Sequence, residues 1–239
     1  MPDLTLFLDD GGVLSDNARK GPEWRRLVGE FFSPRLGGEP RAWSEANRVM
    51  FDPIFEAYAA VMAIPDRYVE GALAYERAWL TAMCDHVGIT APAGAECAAL
   101  AREAVLYITS NAQVAHPWTA EAVDALAAAG YTLHTASNQP SWEMEGYLRA
   151  MGLSGRFGIL FGPDLVNALK PAAAYYARAF VVAGVDPARA LVLDDKPEFV
   201  AAARSVGARA VLVGSGEAPP GAGAVATLAE LPALLAGRE

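Results

Sequence analysis

Residues 4–8 form a short, nearly unbroken apolar run that stops at Asp9, Asp10, Gly11 and Gly12. A run of that length closed by such a turn is the pattern of a strand buried on both faces. From residue 17 to about 106 the character changes. Segments rich in Ala, Glu, Arg and aromatics are interrupted by Pro34, Gly37, Gly38, Pro53 and Pro65. Trp79, Met83 and Val87 recur every four residues, the spacing of one helix face. No strand pattern occurs there, and the stretch reads as an all-helical insertion. After Pro117 regular alternation sets in. Helices are expected at 119–129, 141–151, 171–183 and 197–206, stopped by Gly130, Gly152, Gly184 and Gly207. Strands are expected at 131–136, 157–161, 190–193 and 210–213, followed by a Gly/Pro-rich loop at 214–223 and a last helix at 224–236.

Strand and helix in this order predict an α/β fold, a Rossmann-like parallel sheet with helices on both faces, plus the all-α insertion. The chain has 239 residues, 53% hydrophobic and 20% charged, enough for a sizeable core and far from the composition of disorder. Its formal net charge of −9 opposes binding to a phosphate backbone, so no nucleic-acid partner is expected. The same charge means that any anion site must be locally positive. Cys84 and Cys97 do not make a disulfide framework and read as buried reduced thiols. The first residues lack the pattern of a signal peptide, and no apolar stretch reaches the ~20 residues of a membrane span. The expectation is a cytoplasmic protein with no membrane partner, a monomer or homodimer. His86, His116 and His134 show no metal-ligand spacing.

In parallel sheets sites form at the carboxyl ends of the strands. The first strand delivers Asp9 and Asp10, the next Ser137 and Asn138, and the fourth Asp194 and Asp195. Lys170-Pro171 stands just before a helix, after the strand at 157–161. Carboxylates from two strands can hold a hard cation such as Mg²⁺, which prefers oxygen ligands. Mg²⁺, Lys170 and the Ser137 hydroxyl can neutralise and orient a phosphoryl group while a carboxylate attacks phosphorus.

These segments resemble the four motifs of the haloacid dehalogenase-like (HAD) hydrolase superfamily. LFLDDGGVLSD at 6–16 is similar to the first, TASN at 135–138 to the second, Lys170-Pro171 to the third and LVLDD at 191–195 to the fourth. The helical stretch resembles that family's α-helical cap, inserted after the first motif. The resemblance implies a core domain of residues 1–16 and 116–239, a cap domain of 17–115, and a strand order 5-4-1-2-3. It implies Asp9 as nucleophile and Mg²⁺ ligand, Ser137, Asn138 and Lys170 around a small phosphorylated substrate, and Asp194, Asp195 and the Gly11 carbonyl completing the metal site.

One position departs from the pattern. The family's phosphatases carry Asp-x-Asp-Gly, the second Asp serving as general acid and base, and here Gly11 stands in its place. Such a group contributes ~10²–10⁴-fold to rate. Asp10 falls on the intervening position, with its side chain expected on the other side of the chain. Three explanations compete: Asp10 swings in through the Gly11-Gly12 turn, a cap residue supplies the proton, or the chain does different chemistry or none. The leading expectation is hydrolysis of a phosphate ester through Asp9, with Asp10 and Lys170 as further catalytic candidates. The alternative is a weak or inactive relative that binds a phosphorylated ligand or a protein partner. The haloacid dehalogenases proper do not need Mg²⁺, and the Asp194-Asp195 pair argues against that chemistry.

Overall fold

The computed structural model describes residues 4–236. Strand β1 (Thr5–Leu8) is followed by four helices: α1 (Asn17–Leu36), α2 (Pro40–Met62), α3 (Tyr68–Val87) and α4 (Gly94–Asn111). Alternation begins after them, through α5 (Thr119–Ala128), β2 (Thr132–Ala136), α6 (Ser141–Ala150), β3 (Leu160–Phe161) and α7 (Pro163–Val166). It continues through α8 (Ala173–Ala183), β4 (Ala190–Asp194), α9 (Pro197–Ser205), β5 (Arg209–Val213), β6 (Gly223–Val225) and α10 (Leu231–Ala236). The strands form one parallel sheet in the order β3-β2-β1-β4-β5-β6. This is the expected five-strand order with a sixth strand added beyond β5.

Period-two alternation sorts the strand side chains to two faces. Leu6 and Leu8 of β1 join Leu133, Leu191, Leu193 and Val211 beneath α5 and α6. Phe7, Ala136, Val192 and Leu212 face the other way, onto Tyr175, Tyr176 and Phe180 of α8 and Val200 of α9. The first of these cores runs without interruption into the inserted helices, taking in Phe31, Phe32, Trp43, Trp79, Met83 and Ile108. Helices α4 and α6 meet closely where Gly146 lies: a Cβ there would fall 2.1 Å from Thr109 Oγ1.

Several elements differ from the sequence reading. The segment expected as a final helix opens instead with β6, because Gly223–Val225 completes the open edge of β5; helix enters only at Leu231. Strand β3 is two residues long rather than five. Within the missing part, the Ile159 N–H donates to His134 Nδ1 at 2.8 Å instead of to a neighbouring strand. Helix α8 starts at Ala173 rather than Pro171. Pro53 does not end α2, which passes through it to Met62; Pro53 is exposed. Helix α1 likewise passes Pro34 and ends at Gly37.

Candidate active site

Asp9 directly follows β1, and its N–H is fixed by the Leu193 carbonyl of β4 at 2.9 Å. Asp194 ends β4, so the two aspartates emerge side by side from neighbouring strands. The turn after Asp9 closes on itself: the Asp10 carbonyl accepts from the Leu14 and Ser15 N–H groups at 2.9 and 2.8 Å. Gly12 is required within it. Its φ is +77°, and a Cβ would stand 2.5 Å from Asp195 Oδ2. The absent side chain leaves the room in which Asp195 sits.

Asp9, Asp194 and Asp195 each offer an oxygen within 4.8 Å of the others. Lys170 Nζ joins them, 2.7 Å from Asp9 Oδ1 and 2.6 Å from Asp194 Oδ2, with its side chain almost wholly buried. The backbone of Lys170 is clamped from β2's end. Its N–H donates to Asn138 Oδ1 at 2.8 Å, and its carbonyl accepts from Asn138 Nδ2 at 3.1 Å. Asn138, expected at the substrate, therefore holds the lysine in place. Ser137 is buried beside it; its Oγ accepts from the Gln139 N–H at 3.0 Å and keeps its own proton to donate. The Tyr175 hydroxyl, 2.9 Å from the Ser137 carbonyl and 3.0 Å from that of Phe161, supports this strand end from beneath.

Asp9 and Asp194 share the Lys170 ammonium and Asp195 stands half-buried beside them, its charge partly offset by Lys196, so the cluster holds surplus negative charge. Burial pushes the Asp194 carboxyl well above the ordinary aspartate value, and the Asp9 charge pushes it further, against the opposing pull of Lys170. Asp195 is raised for the same two reasons. Burial disfavours the Lys170 ammonium, but the charges of Asp9 and Asp194 outweigh it and raise its pKa. An all-oxygen set with excess negative charge is the donor chemistry of a hard divalent cation. The residues present fit Mg²⁺.

Asp10 is not brought into this cluster. It is completely buried, with Oδ1 accepting from Ser15 Oγ at 2.5 Å and Oδ2 paired with Lys20 Nζ at 2.5 Å. It organises the turn and anchors the first turns of α1, and it has no free oxygen to swing toward Asp9. Lys20 also lies over the Tyr147 ring, 5.1 Å from its centre.

The sequence reading missed Asn17. Gly11 has an ordinary backbone φ, yet a Cβ there would fall 2.7 Å from Asn17 Oδ1. Asn17 Nδ2 in turn approaches Asp195 Oδ2 at 3.4 Å. The space that an aspartate at 11 would enter is thus filled by a carboxamide, which hydrogen-bonds but does not exchange protons at accessible pH. The only local signal was its place as first residue of α1, after the N-cap Asp16, whose Oδ1 accepts from the Ala18 N–H at 2.9 Å.

A family model described as a haloacid dehalogenase-like hydrolase matches residues 5–207. No curated protein matches the chain. Solved structures of similar shape include a 2-haloacid dehalogenase from Pseudomonas syringae pv. Tomato DC3000, with TM-score 0.67, 22% identity and 100% of both chains covered. An L-2-haloacid dehalogenase from Xanthobacter autotrophicus with chloropropionic acid covalently bound matches at TM-score 0.63 and 15% identity over 100% of both chains. A defluorinating L-2-haloacid dehalogenase matches at TM-score 0.65 and 16% identity over 98% of this chain and 95% of that one. No helix among the described residues is long and apolar enough to cross a membrane.

Proposed function

The chain belongs to the haloacid dehalogenase-like hydrolases, and from that premise we propose that it hydrolyses a small phosphate ester with Mg²⁺. The observation that carries this reading is the approach of Asp9, Asp194 and Asp195 within 4.8 Å of one another. These three carboxylates and the Gly11 carbonyl would hold the ion. When bound, Mg²⁺ supplies charge neutralisation at the transferring phosphoryl oxygens. Asp9 attacks phosphorus as the ester P–O bond breaks and the alkoxide or phenoxide departs, leaving an aspartyl-phosphate; attack of water on that phosphorus then releases inorganic phosphate and returns the Asp9 carboxylate. Lys170, fixed between Asp9 and Asp194, presents a permanent positive charge to the phosphoryl oxygens. The Ser137 hydroxyl donates to another. The four inserted helices act as a cap that excludes bulk water during reaction.

Asn17, at the place of the usual acid and base, offers no proton to the departing alcohol. Esters with weakly basic leaving groups, such as aryl phosphates, are the favoured substrates. The same feature supports a second reading, because a halide also departs without a proton: Asp9 would attack carbon, as the likeness to haloacid dehalogenases suggests. Phosphate release from a panel of esters, with Mg²⁺ or with a chelator, tests the first reading against Asp9→Asn. Turnover that needs Mg²⁺ and vanishes in Asp9→Asn is expected. Halide release from 2-haloacids without a divalent ion would replace it with the second reading. Binding of esters with no turnover would leave a ligand-binding relative.

A further inference from the structure

A cavity of about 620 Å³ opens beside the cluster, between α1, α2 and α3 on one side and residues 138–143 with Leu169 on the other. Asn138 and Leu169 connect it to the site, since one clamps Lys170 and the other precedes it. Its size is that of a small-molecule pocket. Its walls are aromatic: Trp24, Phe51, Phe55, Tyr68, Tyr75 and Tyr147 all line it. Phe51 and Phe55 remain 37% and 42% exposed, an unusual state for rings stacked in parallel 6.2 Å apart unless they border an entrance.

Three carboxylates interrupt these walls: Asp52 from α2, which is exposed, and Glu76 from α3 and Glu143 from α6, which are half-buried. Among the described residues Glu143 has no side-chain hydrogen bond or ion pair. Glu76 has only a loose approach from Arg102, at 3.9 Å. Burial, then the charge of Glu76, pushes the Glu143 carboxyl up to about 8. Carboxylates held in an apolar hole without partners are costly. Of the cations on the opposite wall, Arg48 is paired with Glu45 and Lys20 with Asp10, and the Lys20 charge offsets only part of the rise at Glu143. Arg25 lies on that far side, over Gly21 at the α1 end.

We propose that this cavity receives an ammonium group on the organic part of the substrate, held between Glu76 and Glu143 and packed against the aromatic rings. Resting on the phosphatase reading, the substrate class becomes the phosphate ester of an aminoalkyl phenol, bulky enough to fill the cavity. Ring faces attract a cation, and a cation beside Glu143 favours the ionised form of a carboxyl that otherwise keeps its proton at neutral pH. A neutral ligand of equal shape gains only the apolar contact.

The test needs no phosphate, so it is separable from the catalytic reading. Binding of benzyltrimethylammonium, of its neutral isostere neopentylbenzene and of 3-phenylpropionate is followed by tryptophan fluorescence and calorimetry. The cation should bind at least about tenfold tighter than the neutral isostere. Glu76→Gln/Glu143→Gln should remove that advantage while leaving neopentylbenzene binding unchanged, which also shows that the variant is folded. Equal binding of cation and isostere, or tighter binding of phenylpropionate, overturns the proposal. If the cation binds as expected but no phosphate ester is turned over, the phosphatase reading falls and the ammonium site stands. If esters are hydrolysed with no preference for an amine, the reverse holds.

Discussion

Restoring an aspartate at position 11 probes the most unusual feature of the site. The backbone φ of Gly11 is outside the glycine-only region, so the main chain accepts the change. The obstacle is the 2.7 Å approach of the new Cβ to Asn17 Oδ1. That oxygen ends a short side chain that can rotate away at the loss of one long contact, 3.4 Å, to Asp195. The cost is about 1 kcal/mol. A positioned acid and base contributes 10²–10⁴-fold, or roughly 3–5 kcal/mol of barrier. The gain exceeds the cost, so Gly11→Asp should accelerate hydrolysis of alkyl phosphates by roughly 10–10³-fold at saturating Mg²⁺. Adding Asn17→Ala, which vacates the space, should recover the remaining decade. Aryl phosphates, whose leaving groups depart unaided, should gain far less. Steady-state kcat across alkyl and aryl esters is the assay. Equal acceleration of both ester classes, or none in the double variant, would refute the argument that a missing proton donor limits the chain. A wild type that is inert where Gly11→Asp is active would show that the native protein is no phosphatase.

Other perturbations test the frame around the site. Lys20→Met leaves the completely buried Asp10 carboxylate without its cation; a loss of about 3 kcal/mol is expected in denaturant unfolding, and Asp10→Asn should recover part of it. Gly146→Ala forces a Cβ to within 2.1 Å of Thr109 Oγ1 across the α4–α6 contact; a loss of about 1–3 kcal/mol is expected, and an unchanged Tm would show that the helices can part freely. Glu143 has its pKa raised from 4.5 to about 8. Between those values the folded chain keeps a proton that the unfolded chain has released, so stability should decline as pH rises through that window. Glu143→Gln should flatten this part of the Tm–pH curve, and a steeper slope in the variant would contradict the assignment.

The parts of this structure that could be read from the sequence are those governed by short-range rules. Apolar runs closed by Asp or Ser located β1, β2 and β4, and the spacing of Trp79 and Met83 placed both in the insertion's core. The residues at the strand ends, Asp9, Ser137, Lys170 and Asp194, do converge at one rim. What escaped was decided by contacts across the fold. Gly223–Val225 becomes a strand only because β5 presents an open edge. The capture of Asp10 by Lys20 requires knowing the angle at which α1 leaves the turn. The presence of Asn17 in the space of the missing acid depends on the same angle. The cavity draws its walls from several separate helices, and no local pattern marks such a surface.

The two lysines paired with aspartates at the ends of β1 and β4 reach them across different lengths of chain. Lys20 and Asp10 are 10 residues apart, whereas Lys170 lies 161 residues from Asp9 and 24 from Asp194. Closing a short loop is entropically cheap, so the Asp10 turn can assemble while the polypeptide is still largely open. The carboxylates of Asp9 and Asp194 meet only when β4 docks against β1, among the most non-local events in the topology. Any ligand that needs both aspartates therefore binds the finished sheet and nothing earlier, and by mass action it holds the chain in that state. The same ligand would serve as a reporter of complete folding, silent toward every partly assembled form.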